Sequence, residues 1–131
     1  LSKRTFMQGY LVIIAVEHQE LRHSLRRLLS DHFHRMIFAD DTQSLLDTLA
    51  YTQPELLLVD LSLPTTNSLN ALRELKSNDV QIPTIVVGDY DEVEAEDEAR
   101  STGCMSYVVR SKLCTDLIPL VNKALDGRTA S

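Results

Sequence analysis

The sequence predicts a doubly wound α/β domain, a parallel sheet with helices on both faces. Three observations carry that expectation. Apolar, strand-like runs recur at Tyr10–Val16, Met36–Ala39, Leu56–Val59, Ile82–Val87 and Ser106–Val109. A helix-forming segment follows each of them. The connections are short, which suits parallel strands joined by crossover helices.

Each element has its own local reason. Leu21, Leu25, Leu28 and Leu29 follow the first run at i, i+4, i+7 and i+8, the stripe of an amphipathic helix, with Arg22, Arg26 and Arg27 off it. Asp40 or Asp41 can cap the next helix, which carries Leu45, Leu46 and Leu49. Leu56–Val59 is apolar without alternation, as in a strand buried on both faces, and it ends on Asp60. Leu69, Leu72 and Leu75 mark a third helix beyond Pro64. Pro83 lies near the start of the fourth strand, where a missing N–H is tolerated. The acidic segment from Asp89 to Glu98 reads as a helix, and Gly103 suits the left-handed position after it. Leu113, Leu117, Leu120, Val121 and Leu125 make a last helix that Gly127 is expected to end.

Bulk properties narrow the function. A chain of 131 residues fits one domain with a sizeable core. A net charge of −6 leaves no basic footprint for nucleic acid or an anionic membrane. There is no apolar run long enough to span a bilayer, and residues 1–9 read as a short extension without a signal-peptide core. Cys104 and Cys114 form no CxxC or metal spacing, so reduced thiols in a cytoplasmic protein are expected. The domain is expected over residues 10–127, with 128–131 the start of a linker.

In an open parallel sheet, ligands bind beyond the carboxyl ends of the strands. Glu17, Asp60, Gly88–Asp89 and Arg110 all fall at that rim. An acid there is a nucleophile, a metal ligand or a cap. Glu17 and Asp60 are a candidate pair for Mg²⁺, which prefers oxygen ligands. A guanidinium beside them suits phosphate oxygens. The set fits phosphoryl chemistry better than hydride or acyl transfer, and no dinucleotide or P-loop motif is present.

The order and spacing of these segments resemble the receiver domain of bacterial two-component response regulators, from Tyr10 to Gly127. The first strand with Glu17-His18, the run Pro54–Pro64, Leu69–Leu72, Ile82–Val87 and Gly103–Val109 carry the likeness. Its texture is closest to receivers that precede a LuxR-type helix-turn-helix domain. The resemblance implies a flavodoxin-like (βα)5 fold with strand order 2-1-3-4-5, and a signalling module rather than an enzyme. It implies that Asp60 accepts a phosphoryl group from a sensor histidine kinase or phosphotransfer protein. It also implies Mg²⁺ held by Glu17, Asp60 and the backbone carbonyl of Ser62, phosphate contact by Arg110, and switch positions at Gly88 and Tyr107. Homodimerisation and a C-terminal DNA-binding output domain outside this chain follow as partner expectations, with no nucleic acid or membrane bound by the domain itself.

The chain departs from the family pattern. Val16 replaces the first of two acids, and Glu17 is one methylene longer than the usual second. Gly88 stands where a hydroxyl is usual, Asp89 where a small uncharged residue is, and Arg110 where a lysine is. Ser111 replaces the proline after it, so a cis peptide is not expected. The reading is an atypical receiver with weakened phosphorylation and weak or absent Mg²⁺; the alternative is an interaction or dimerisation domain that works without phosphorylation. The acidic segment after Asp89 reads as a solvated face or a docking surface, and the three arginines as ordinary helix charge or a kinase contact.

Overall fold

The computed structural model describes residues 10–33, 35–61, 82–89 and 93–129. The N-terminal extension, Ser62, the Pro64 loop and the helix expected around Leu69, Leu72 and Leu75 lie outside the described residues.

Five strands form one parallel sheet: β1 (Leu11–Ala15), β2 (Arg35–Ala39), β3 (Leu56–Asp60), β4 (Thr84–Gly88) and β5 (Ser106–Val109). Their order is β2-β1-β3-β4-β5, as expected. The described helices are α1 (Gln19–Leu29), α2 (Thr42–Leu49), α3 (Val93–Arg100) and α4 (Leu113–Thr129), the last entered through a 3₁₀ turn at Arg110–Lys112.

Paired positions in parallel strands share a face, and the register shows how the core divides. Ile13, Leu57 and Val86 lie in one layer with Leu45 of α2 and Ala99 of α3. Val12, Ile14, Leu56, Leu58, Ile85 and Val87 lie in the other, with Leu21, Leu25 and Leu29 of α1 and Leu117, Val121 and Leu125 of α4. All five residues of β1 and of β3 are buried, which is why neither strand alternates apolar with polar residues. Each such Leu or Ile contributes about 1.5–3 kcal/mol on leaving water.

β2 is one of the two edge strands and is only partly buried. The guanidinium carbons of Arg22 and Arg26 stand 5.1 Å and 4.8 Å from the centre of the Phe38 ring, and Arg22 Nη1 also donates to Asp40 Oδ1 at 2.7 Å. The arginines of α1 therefore cover apolar surface on β2 with their stems and ring contacts.

Caps follow the local chemistry. Asp41, rather than Asp40, caps α2: its Oδ1 accepts from Ser44 N at 2.8 Å from an extended backbone. That bond, with a smaller contribution from the Ser44 side chain, holds the Asp41 carboxyl below its ordinary value. Gly103 follows α3 with φ 85°, a conformation that carries no steric penalty only in glycine. The described part of the acidic helix is Val93–Arg100, and β4 begins at Thr84, after Pro83. Pro83 has no N–H to give the ladder, but its carbonyl accepts from Leu57 N at 3.0 Å. Gly127 does not end the last helix, which continues to Thr129; among the described glycines only Gly103 has positive φ, so no left-handed cap forms at Gly127.

Candidate functional site

Asp60 is the last residue of β3, the central strand, and is 2% exposed. Pairing continues past it, since Leu61 N donates to Val87 O at 2.8 Å. The neighbouring strands are aligned so that Asp60 pairs with Val87, and Gly88 with Val109. Asp89 and Arg110, each one residue past a paired strand end, therefore emerge side by side above the sheet.

Arg110 lies between two carboxylates. Its Nη2 is 3.7 Å from Asp60 Oδ2, and its Nε is 3.3 Å from Asp89 Oδ1. These are ion pairs rather than close hydrogen bonds. The Asp60 side chain is 3% exposed, against 38% for Arg110 and 45% for Asp89. Water thus reaches the outer half of the triad, and the inner carboxylate sits beneath the guanidinium. No cis peptide occurs among the described residues, so Arg110 and Ser111 are joined in trans, in line with the missing proline.

Val16 is fully buried, and its N–H donates to Ala39 O at 3.0 Å. It belongs to the core and offers no oxygen to the rim. Glu17 is exposed and precedes His18, the N-cap of α1, so it is neither inside the helix nor in the core. Among the described residues no three Asp, Glu, His or Cys side chains converge as a metal set. With Val16 apolar, Glu17 and Asp60 are the described carboxylates that would hold Mg²⁺, an incomplete set for an ion that demands near-ideal oxygen geometry. The third expected ligand, the Ser62 carbonyl, lies outside the described residues.

Gly88 ends β4 against Tyr107 of β5. A Cβ on Gly88 would collide with the Tyr107 hydroxyl and stand 2.6 Å from Cζ and 2.7 Å from Cε1. The tyrosine side chain thus fills the space that any residue-88 side chain would need. Tyr107 packs on the layer that contains Val86.

A shallow groove of about 270 Å³ opens on α1, lined by Gln19, Arg22, His23 and Arg26. None of the strand-end residues lines it. Cys104 is half-buried, Cys114 is exposed, and both are free thiols. Burial pushes the Cys104 thiol above its ordinary value.

The sequence sets Glu17, Asp60, Gly88–Asp89 and Arg110 at one rim; the structure brings Arg110 to Asp60 and Asp89, and the Tyr107 ring to Gly88. The pairing of Asp89 with Arg110 was not foreseen; it becomes visible only once Gly88 is aligned with Val109.

The geometry matches a known family. A family model described as the response regulator receiver domain matches residues 12–121. The chain belongs to that family. Curated relatives of this receiver include the regulatory protein AtoC of Escherichia coli strain K12, 30% identical over 106 residues that cover 78% of this chain and 23% of AtoC. The transcriptional regulatory protein PdtaR of Mycobacterium tuberculosis is 25% identical over 115 residues, 87% of this chain and 56% of PdtaR. The receiver thus spans about a quarter to just over half of these two relatives. Among solved structures, the receiver domain of Francisella response regulator 1452 superposes with a TM-score of 0.83 at 16% identity, covering 92% of this chain and 99% of that one. A LuxR-family two-component response regulator from Aurantimonas gives a TM-score of 0.81 at 20% identity, covering 90% and 86%. At such identities the superpositions speak to the fold alone. The receiver has a flavodoxin-like fold and is a signalling domain of the two-component type. No helix among its described residues is long and apolar enough to cross a membrane.

Proposed function

We propose that this receiver accepts a phosphoryl group on Asp60 from a phosphohistidine of a sensor histidine kinase or phosphotransfer protein, with reduced efficiency. The observation that carries the reading is a carboxylate 2% exposed at the end of the central strand with a guanidinium 3.7 Å away. In the reaction an Asp60 carboxylate oxygen forms the new O–P bond while the P–N bond to the donor imidazole breaks. The electron pair returns to the imidazole nitrogen, which takes up a proton. Arg110 faces the oxygen charge of the incoming group. Efficiency falls because Val16 supplies no metal-side oxygen, Gly88 supplies no hydroxyl, and Asp89 adds negative charge beside Arg110. Mg²⁺, in the proposal, binds weakly at most, with Glu17, Asp60 and the Ser62 carbonyl as its ligands.

The remaining family expectations belong to the same proposal: a domain over residues 10–127, a cytoplasmic location and a DNA-binding output domain beyond this chain. The last is supported by the part-length match to a transcriptional regulatory protein.

One observation favours a second reading, a domain that binds a partner or dimerises without phosphorylation. Tyr107 already fills the space over Gly88, so no hydroxyl at residue 88 is available to move it. Beryllofluoride with Mg²⁺, followed by amide shifts around residues 60, 88 and 107, separates the two. Shifts abolished by Asp60→Asn support the phosphoacceptor. Their absence at millimolar additive leaves the interaction domain.

A further inference from the structure

We propose that Asp89 is a positioning residue that tethers Arg110 and so competes with any phosphoryl-type anion arriving at Asp60. The inference rests on the phosphoacceptor reading above and deepens it. Arg110 reaches Asp89 more closely than it reaches Asp60, at 3.3 Å against 3.7 Å. It does so through different atoms, Nε for Asp89 and Nη2 for Asp60. A planar guanidinium can serve two carboxylates from two edges at once, whereas a lysine ammonium on the same strand end is a point charge without that fork. The three groups are set side by side by the register that aligns Gly88 with Val109, not by a mobile surface encounter.

The consequence is a competition. A bound phosphoryl group needs the charge and donors of Arg110, and its Nε lies 3.3 Å from the Asp89 carboxylate without a hydrogen bond, so the hold of Asp89 on the guanidinium is electrostatic. Binding at Asp60 must draw the guanidinium inward, away from Asp89, and must tolerate the Asp89 charge left behind. Arg110 Nε is itself buried, but the Asp89 side chain is 45% exposed, so the pair is screened from the Asp89 side and weakens as salt rises. Asp89 thus sets how readily the site engages an anion without touching Asp60 itself.

The test has two readouts. The first needs no ligand: the Arg110 Nε–H resonance of the intact domain is compared with that of Asp89→Asn, a change at an exposed position. A moved resonance with faster proton exchange is expected, and an unmoved one overturns the tether. The second is beryllofluoride titration with Mg²⁺. Asp89→Asn is expected to tighten half-saturation about one-and-a-half- to fivefold at low salt, as for one partly screened charge pair. In an Arg110→Lys background the gain is expected to vanish, and Asp89→Glu is expected to keep most of the wild-type weakness. An equal gain in the Arg110→Lys background overturns the tether in favour of simple charge repulsion. An Arg110 resonance that moves while neither form responds at Asp60 overturns the phosphoacceptor reading, and the competition with it.

Discussion

The Tyr107 hydroxyl stands where a side chain on Gly88 would begin. The two residues lie on adjacent strands, β4 and β5, and share one volume at the edge of the candidate site. Glycine is ordinarily a weak choice inside a strand, but here its missing Cβ is what admits the ring.

Gly88→Ala is therefore expected to destabilise the domain by about 1–3 kcal/mol, the usual range for overpacking. In a Tyr107→Ala background the same substitution is expected to cost little, so a double-mutant cycle by urea denaturation should show a large coupling between the positions. Additive costs would show that the ring does not hold that space. Gly88→Ser should also shift the Tyr107 ring resonances as the side chain swings outward.

Arg110→Ala removes the cation from a carboxylate whose side chain is only 3% exposed. A fully buried pair broken in this way loses about 3–5 kcal/mol, and exposure of Arg110 reduces that to about 1–3 kcal/mol. Asp60→Asn removes the charge that needs neutralising and is expected to cost less than Arg110→Ala. Chemical denaturation of both variants checks the order, and the reverse order would mean that Arg110 does little for Asp60.

The Asp41 cap gives a pH-dependent signature. Its folded pKa lies below the ordinary value of 3.8, because the Ser44 N–H favours the carboxylate. A depressed acid contributes stability that is complete above its unfolded pKa and is lost as pH falls through the folded one. Asp41→Ala should thus lower Tm at pH 7, and the gap from wild type should narrow as pH falls below about 4. Thermal scans between pH 7 and pH 3 check this; a gap that stays constant would remove the capping bond as its cause.

The two thiols should differ in reactivity. Cys114 is exposed, while Cys104 is half-buried with its thiol raised above the ordinary value of 9.0 by burial. Because the thiolate is the nucleophile, alkylation at pH 8 is expected to label Cys114 first, and Cys104 should catch up only at higher pH. Peptide mass mapping over time measures both rates.

Much of the fold could be read along the chain because its causes are local. The unbroken apolar run at Leu56–Val59 predicts a strand covered on both sides, and every residue of β3 is buried. The i, i+4, i+8 leucines of α1 are its buried residues. Gly103 takes the left-handed position that its place after the acidic helix suggested. Gly127 misled, because a glycine is only an invitation to a left-handed cap and α4 runs two residues past it.

The site was legible only in part. Asp60 at a strand end and the losses at Val16 and Gly88 stand in the sequence itself. Other relationships join residues far apart in the chain. Glu55 Oε1 accepts from Leu11 N at 2.7 Å across 44 positions, and Arg22 and Arg26 of α1 cover Phe38 of β2. No periodicity encodes such pairs, because they depend on which strands adjoin and at what offset.

The sequence by itself determined the parallel α/β architecture, the acid at the end of its central strand and the absence of the usual helpers at residues 16 and 88. The architecture and the acid follow from side-chain period and turn chemistry, which act within a few positions, and the missing helpers from residue identity set against the receiver pattern. Only the tertiary structure decided that Arg110 is shared between Asp60 and Asp89, and that Tyr107 fills the space over Gly88. Strand register set those neighbours, and the rotamers that packing allows set which atoms meet.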